Sequence, residues 1–256
     1  MIKSMSYYTG RMQYKMKTNF NANKQKIRDM LNKEAYRYER KFVIKDLNLH
    51  EIQRLILIHP SIFSETFSER RVNNLYLDSM GMENYLDNVE GNSKRLKIRI
   101  RWYGDTFGLV KNPVLEIKFK EEELGKKLSF PLKAFYMDEK FSSNLLQRVF
   151  VKSELPDELL KKINLMVPTL LNSYKRKYFI SANKLHRITL DKNLIFFKIN
   201  KQGNNKFLNK IIDDETFIFE LKCLEKDGHD VEKITNKFPF RLNKSSKYVS
   251  GIELIN

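Results

Sequence analysis

Residues 95–104 read RLKIRIRWYG, and the way this stretch folds decides the reading of the whole chain. In an extended backbone successive side chains point to opposite faces. Arg95, Lys97, Arg99 and Arg101 would then share one face, and Leu96, Ile98, Ile100 and Trp102 the other. Any antiparallel sheet with one wet side alternates in this way, and for a single strand a solvated polar face is the simpler reading. Yet like charges about 7 Å apart along a strand repel one another unless an anion neutralises them. One strand cannot choose between a wet surface and an anion site; the other strands must.

Composition sets the frame. The chain has 256 residues, 41% hydrophobic and 12% aromatic, with nine Gly and six Pro, which is apolar material for one substantial core. A net charge of +17 predicts attraction for a polyanion such as nucleic acid, polyphosphate or an anionic membrane. The single cysteine, Cys223, cannot form an internal disulfide, and a buried thiol is its simplest role. No apolar run is long enough to span a membrane, and MIKSMSYYTGRMQYKMK lacks the hydrophobic region of a secretory signal, so the expectation is a cytoplasmic protein without a transmembrane segment. Residues 1–33 read as a basic N-terminal segment, a solvated arm ending in a short helix at NKQKIRDMLNK, and residues 34–256 as one domain. The four histidines, His50, His59, His186 and His229, show no metal spacing.

From Tyr36 onward strand patterns dominate: YRYERKFV (36–43), VNNLYLD (72–78), RLKIRIRWY (95–103), PVLEIKFK (113–120), TLLNSYKRKYFI (169–180), LHRITLD (185–191), LIFFKIN (194–200), TFIFELKC (216–223) and SKYVSGIEL (246–254). Two helical stretches interrupt them. Asn48 can cap NLHEIQRLILI, with Glu51 three residues on, and a longer stretch covers about 138–166, with Pro156 inside it. The fold class expected is α+β, an antiparallel sheet of many strands with flanking helices.

The polar faces of these strands repeat one device. Arg37, Glu39 and Lys41 fall together, as do Glu116, Lys118 and Lys120; Glu220 and Lys222; and Arg187, Thr189 and Asp191, while Arg176 lies between Tyr174 and Tyr178. Each strand alone could be a wet surface. Strands that are apolar on one side and cationic with sparse carboxylates on the other are also what a barrel with a charged lumen requires, and the recurrence favours an enclosed anion site. Aromatic residues such as Trp102 could stack bases in a nucleic-acid groove, but packing against core and helices explains them more simply.

The run RYERKF, NNLYLD, RIRWYG, EIK, SYKRKYF, HRITLD, ELK and KSSKYVSG resembles the catalytic domain of the vacuolar transporter chaperone (VTC) polyphosphate polymerases, within the CYTH or triphosphate tunnel metalloenzyme superfamily, over roughly residues 34–254. The resemblance implies an antiparallel β-barrel tunnel that binds ATP, a growing inorganic polyphosphate chain and a divalent metal, Mn2+ or Mg2+. Carried over motif by motif, it implies phosphate binding at Lys41, Arg99, Arg101, Lys118, Arg176, Arg187, Lys244 and Lys247, with Lys222 beside them. The metal-binding carboxylate would be Glu220, and Glu39 and Glu116 are further candidates. No nucleic-acid partner is expected.

Phosphoryl transfer suits this inventory, since it needs charge neutralised and oxygens aligned more than covalent chemistry from the protein. Hydrolytic members of the superfamily carry Glu-x-Glu-x-Lys on the first strand; here Arg37 replaces the first acid ahead of Glu39 and Lys41, which favours transfer over hydrolysis. The eukaryotic assemblies also contain an SPX domain and membrane spans. Neither fits into residues 1–33, so the chain reads as a catalytic module whose membrane or regulatory partner would be separate. Three functions follow: a polyphosphate polymerase first, then a tunnel triphosphatase or polyphosphatase, then a non-enzymatic polyphosphate or nucleic-acid binder.

Overall fold

The computed structural model describes residues 37–121, 124–200, 207, 210–224, 230–243 and 245–255. RLKIRIRWY is a strand, β3 (Lys94–Tyr103). Its alternation is realised as expected, with Ile98, Ile100 and Trp102 each at most 2% exposed. Trp102 is thus a core residue, its indole N–H donating to the Asp105 carbonyl at 3.0 Å.

The other strands are β1 (Arg37–Ile44), β2 (Ser64–Asp78), β4 (Gly108–Val110), β5 (Val114–Glu121), β6 (Leu124–Pro131), β7 (Phe135–Met137), β8 (Val167–Ile180), β9 (Arg187–Lys198), β10 (Lys210–Asp213) and β11 (Phe217–Leu224). Nine of them form one antiparallel sheet in the order β10-β9-β11-β1-β6-β5-β3-β2-β8, with β8 pairing in addition with β9, while β4 and β7 pair separately. The two expected strands LHRITLD and LIFFKIN are one, β9, bent at Asn193, whose φ is 50°.

The seam between β1 and β6 is thin. Among the described residues it holds one pair, Arg37 with Gly125, and further along the edge of β1 Phe42 bridges Leu242 and the Asn243 N–H donates to the Lys41 carbonyl at 3.0 Å. Because β8 also pairs with β9, the pairings run from β9 through β11, β1, β6, β5, β3, β2 and β8 back to β9, with the β1–β6 seam their weakest link; the architecture is a largely antiparallel sheet with flanking helices.

Helices cover the outer face. α1 (Leu49–Leu57) starts with the expected capping box, Asn48 N–H donating to Glu51 Oε2 at 2.7 Å and Glu51 N–H to Asn48 Oδ1 at 3.1 Å. With α5 (Val231–Thr235) it closes a core on Phe42, Phe219, Leu221 and Ile188 of β1, β11 and β9, in which Cys223 is buried. The stretch 138–166 is two helices, α3 (Ser143–Lys152) and α4 (Asp157–Ile163), rather than one. Glu154 at φ 55° breaks the first, and Pro156 stands at the N-cap of the second, where its missing N–H costs nothing. Both pack on Ile98, Ile100, Leu115, Ile117 and Leu128 of β3, β5 and β6. α2 (Glu83–Glu90) follows β2, and the buried Asp78 carboxylate accepts its N-terminal Asn84 and Tyr85 N–H groups, each at 2.9 Å.

The largest departure from the sequence reading is the last element. SKYVSGIEL is not a strand but α6 (Lys247–Ile255). Ser246 caps it by accepting the Val249 N–H, and the buried Tyr248, Gly251 and Ile252 recur at helical spacing. α6 packs on the inner face, where Tyr248 and Ile252 meet Val72, Tyr76, Leu170, Tyr174 and Phe196. Gly251 permits this approach: a Cβ there would come within 2.5 Å of Leu170 Cδ2 and 2.6 Å of Phe196 Cδ1. The expected helix in NKQKIRDMLNK and the rest of residues 1–33 lie outside the described residues.

Candidate active site

Beside α6 the inner face of the sheet is charged, and its cations gather on buried carboxylates from three directions. On β5, Glu116 is 6% exposed and accepts Arg99 Nε at 2.8 Å and Arg99 Nη2 at 2.7 Å. Arg101 Nη1 stands 3.5 Å away and Lys127 Nζ of β6 3.1 Å away. The register dictates this, because Glu116 lies directly opposite Arg99 on β3 and Ser129 on β6. Burial pushes the Glu116 carboxyl up, but Arg99, Arg101 and Lys127 outweigh it and hold the group well below the usual carboxylate range.

The second centre joins β1 and β11. Lys41 pairs with Glu220 across the ladder, their charged atoms 3.4 Å apart, and Lys222 reaches the other Glu220 oxygen at 2.9 Å. Glu39, diagonal to Glu220, lies 3.9 Å from Lys41 and accepts Lys118 Nζ of β5 at 2.6 Å. That last bond spans β6, so β1 and β5 face one another over the same space. Burial and Glu220 push the Glu39 carboxyl up, and Lys118, Lys222 and Lys41 bring it below its ordinary value. Glu220, buried as well, is driven further down by Lys222, Lys41, Lys118 and Arg176, side chains from β11, β1, β5 and β8.

The third centre is Asp191 on β9, fully buried and gripped by Arg176, Nε to Oδ1 at 2.5 Å and Nη2 to Oδ2 at 2.7 Å. Lys247, the first residue of α6, reaches Oδ2 at 2.6 Å and stands over the Tyr174 ring. Burial would raise the Asp191 carboxyl, but the two cations lower it to about 2. Burial also pushes the Tyr174 phenol up, yet Arg176 and Arg101 bring it down to about 8, a measure of how positive the space is.

Lys97 and Lys118 show the same field from the cationic side. Burial, then Lys41, Lys118, Arg95 and Arg99, push the Lys97 ammonium down to about 6, and its Nζ donates to Ser246 Oγ at 2.8 Å. Burial also lowers Lys118, which Glu39 supports and Lys41 opposes, to about 8. Cations so arranged can hold several phosphate groups in a row, with guanidinium forks and ammonium point charges alternating.

The structure thus brings together Lys41, Arg99, Arg101, Lys118, Arg176, Lys222 and Lys247 with Glu39, Glu116 and Glu220. Arg187 is exposed, opposite Lys222 in the ladder, and Lys244 lies outside the described residues. Sequence reasoning left Lys127 out of the site, although in GKKLSF it takes the face opposite Leu128 and Phe130. It also did not assign Asp191, whose role depends on a helix arriving from the end of the chain. His59 Nε2 lies 3.1 Å from the Ile234 carbonyl oxygen, and its ring stacks on Phe238.

The described residues place no three His, Cys, Asp or Glu side chains together, so they build no protein-only cage for a metal. Glu39 and Glu220, which share Lys41, have the donor chemistry for an ion that takes most of its oxygens from a substrate's phosphates. Among the described residues no helix is long and apolar enough to cross a membrane.

The chain is distantly similar to several solved structures. A putative adenylate cyclase from Vibrio parahaemolyticus superposes with a TM-score of 0.49 at 10% identity, covering 86% of this chain and 99% of that one. A second protein so described, from Bacillus halodurans, gives 0.47 at 13%, covering 85% and 97%. The PH1819 protein of Pyrococcus horikoshii OT3 gives 0.46 at 16%, covering 86% and 99%. No curated protein matches the sequence. The family model of the VTC domain matches residues 36–256, a span that holds every element from β1 to α6. The chain belongs to the VTC domain family.

Proposed function

We propose that this protein is a polyphosphate polymerase that transfers the terminal phosphate of ATP onto a growing inorganic polyphosphate chain. The observation that carries the reading is the inner face itself, where Lys41, Lys97, Arg99, Arg101, Lys118, Lys127, Arg176, Lys222 and Lys247 outnumber the carboxylates that hold them in place. Membership of the VTC domain family supports it. On this reading the sheet acts as a tunnel wall, residues 34–256 form the catalytic module in the cytoplasm, and residues 1–33 are a basic appendage.

The ion pairs hold the cations in position before substrate arrives, so little reorganisation is required when phosphate oxygens take the places beside them. Arg99, Arg101 and Arg176 grip the triphosphate as forks, and Lys41, Lys118 and Lys222 neutralise charge on the transferred group and the attacking chain end. The terminal oxygen of the polymer attacks the γ-phosphorus, the bond to the β-phosphate oxygen breaks, and ADP leaves with that electron pair. A divalent ion held by Glu220 and Glu39 together with phosphate oxygens would supply further charge neutralisation and alignment.

Incubating the protein with ATP and Mn2+ and resolving the products on a phosphate-stained gel tests this. Long ladders support polymerisation. Orthophosphate alone would make the protein a tunnel hydrolase, and no turnover with retained polymer binding would make it a binder.

A further inference from the structure

One end of the charged face carries a rim that the phosphate-binding groups leave unused. Tyr103 follows Arg101 by two residues on β3, and Tyr178 follows Arg176 by two on β8, so each ring lies one step beyond a phosphate-facing guanidinium on the same side. Phe67 on β2 meets Tyr178 edge to face, 5.8 Å between centroids at 88°. The Arg70 guanidinium lies 4.6 Å from the centre of Phe67, 5.7 Å from Tyr178 and 5.9 Å from Tyr103. Phe67 and Tyr103 are each 53% exposed, so both rings are open to a ligand.

Just inside the rim are two hydroxyls, one of them in need of a partner. Tyr178 and Thr189 stand opposite each other in the β8–β9 ladder; the Tyr178 hydroxyl interacts with Tyr103 of the rim, and the Thr189 hydroxyl is buried with no hydrogen bond among the described residues. A buried hydroxyl without a partner costs stability, so a ligand that supplies one gains affinity there. At the other end of β2, β8 and β9 the same face is filled by Tyr248 and Ile252 of α6 packed on Tyr76, Leu170 and Phe196, which leaves no space for a flat ring.

We propose that this rim binds the nucleoside of the donor nucleoside triphosphate, with the base stacked on Tyr103 and Phe67, the ribose hydroxyls meeting Tyr178 and Thr189, and the phosphates running inward past Arg101 and Arg176. Stacking on aromatic and guanidinium planes is how proteins hold bases with little choice among them, so several nucleoside triphosphates should serve as donors. The rim also gives the phosphate path a direction: the nucleoside stays at the Tyr103 end, and the polymer lies toward Lys97 and Arg95. This inference rests on the triphosphate reading given above.

Calorimetric titration of the full chain with ATP and with inorganic tripolyphosphate tests it. Tyr103→Ala and Phe67→Ala should each raise the Kd for ATP by about tenfold, the loss expected for one stacking ring, and leave tripolyphosphate binding within about twofold. Both side chains are exposed, and unchanged tripolyphosphate binding in the same variant shows that the fold survives. Unaltered ATP affinity in both variants, or equal loss for both ligands, overturns the rim while leaving the phosphate site standing. A wild-type protein that fails to bind tripolyphosphate overturns the phosphate site and the rim with it.

Discussion

Lys247 Nζ lies 2.6 Å from Asp191 Oδ2, so the first residue of the last helix is ion-paired with the middle of β9. The same carboxylate holds Arg176, and all three side chains are largely withdrawn from water. Asp191→Asn should therefore leave two cations facing each other without a counter-charge. The expected loss is about 3–5 kcal/mol, read as a lowered Tm. Because the folded Asp191 carboxyl titrates at about 2 instead of 3.8, its contribution is complete above 3.8 and disappears as pH falls from there through 2. The wild-type Tm should drop over that window more steeply than that of the Asn variant.

Lys97 gives a proton-linked prediction. With its ammonium pushed down to about 6 and that of Lys118 to about 8, the ligand-free site holds fewer protons at pH 7.5 than two ordinary lysines would. Phosphates entering the site favour the charged forms, so binding should take up about one proton, and affinity should weaken as pH rises above 8. Titrating tripolyphosphate in buffers of different ionisation enthalpy measures the uptake. Lys97→Met should remove much of it, and the same uptake in that variant would show that Lys97 is not the group involved.

Glu220→Gln separates two roles. It deprives Lys41 and Lys222 of their shared carboxylate, so the ligand-free variant should melt lower than wild type. Tripolyphosphate should restore the melting temperature, since phosphate oxygens can satisfy the same cations, and metal-free polymer binding should persist or strengthen. Turnover with Mn2+ should fall on the order of a hundredfold or more. Wild-type turnover in the folded variant would falsify Glu220 as a metal ligand.

Arg99→Ala should weaken triphosphate binding by roughly ten- to a hundredfold, the worth of charge-assisted hydrogen bonds in a partly enclosed site. Glu116 would still be held by Arg101 and Lys127, so the fold should tolerate the change. Lys15→Ala, in the basic N-terminal stretch of the sequence, should change affinity by no more than about twofold at physiological salt. Comparable losses at the two positions would mean that the charged face of β3 is simply solvated.

Gly251→Ala probes the seat of α6. The added methyl must displace Leu170 or the Phe196 ring, at an expected cost of about 1–3 kcal/mol, measured by thermal unfolding. Since Lys247 and Ser246 lead into the same helix, turnover should fall along with Tm.

Residues 95–103 show what the sequence by itself determined. Period-two alternation is a local property, written in which side chains are apolar, so β3 and the polar faces of β1, β5, β8 and β11 could be read without knowing their neighbours. The α1 cap was equally legible because Asn48 and Glu51 are three residues apart. What the sequence could not supply was contact over distance. Lys118 meets Glu39 across an intervening strand, and Lys127 joins Glu116 from a strand whose pattern is short. SKYVSGIEL alternates weakly enough to suit either backbone, and it is helical because Tyr76, Leu170 and Phe196 offer a surface that a helix with glycine at its contact can reach. The thin β1–β6 seam is likewise a tertiary outcome, as is the return of residues 242 and 243 to the β1 edge. Local pattern fixes which face of each strand is charged; only packing brings those faces around one space and decides which carboxylate restrains which cation.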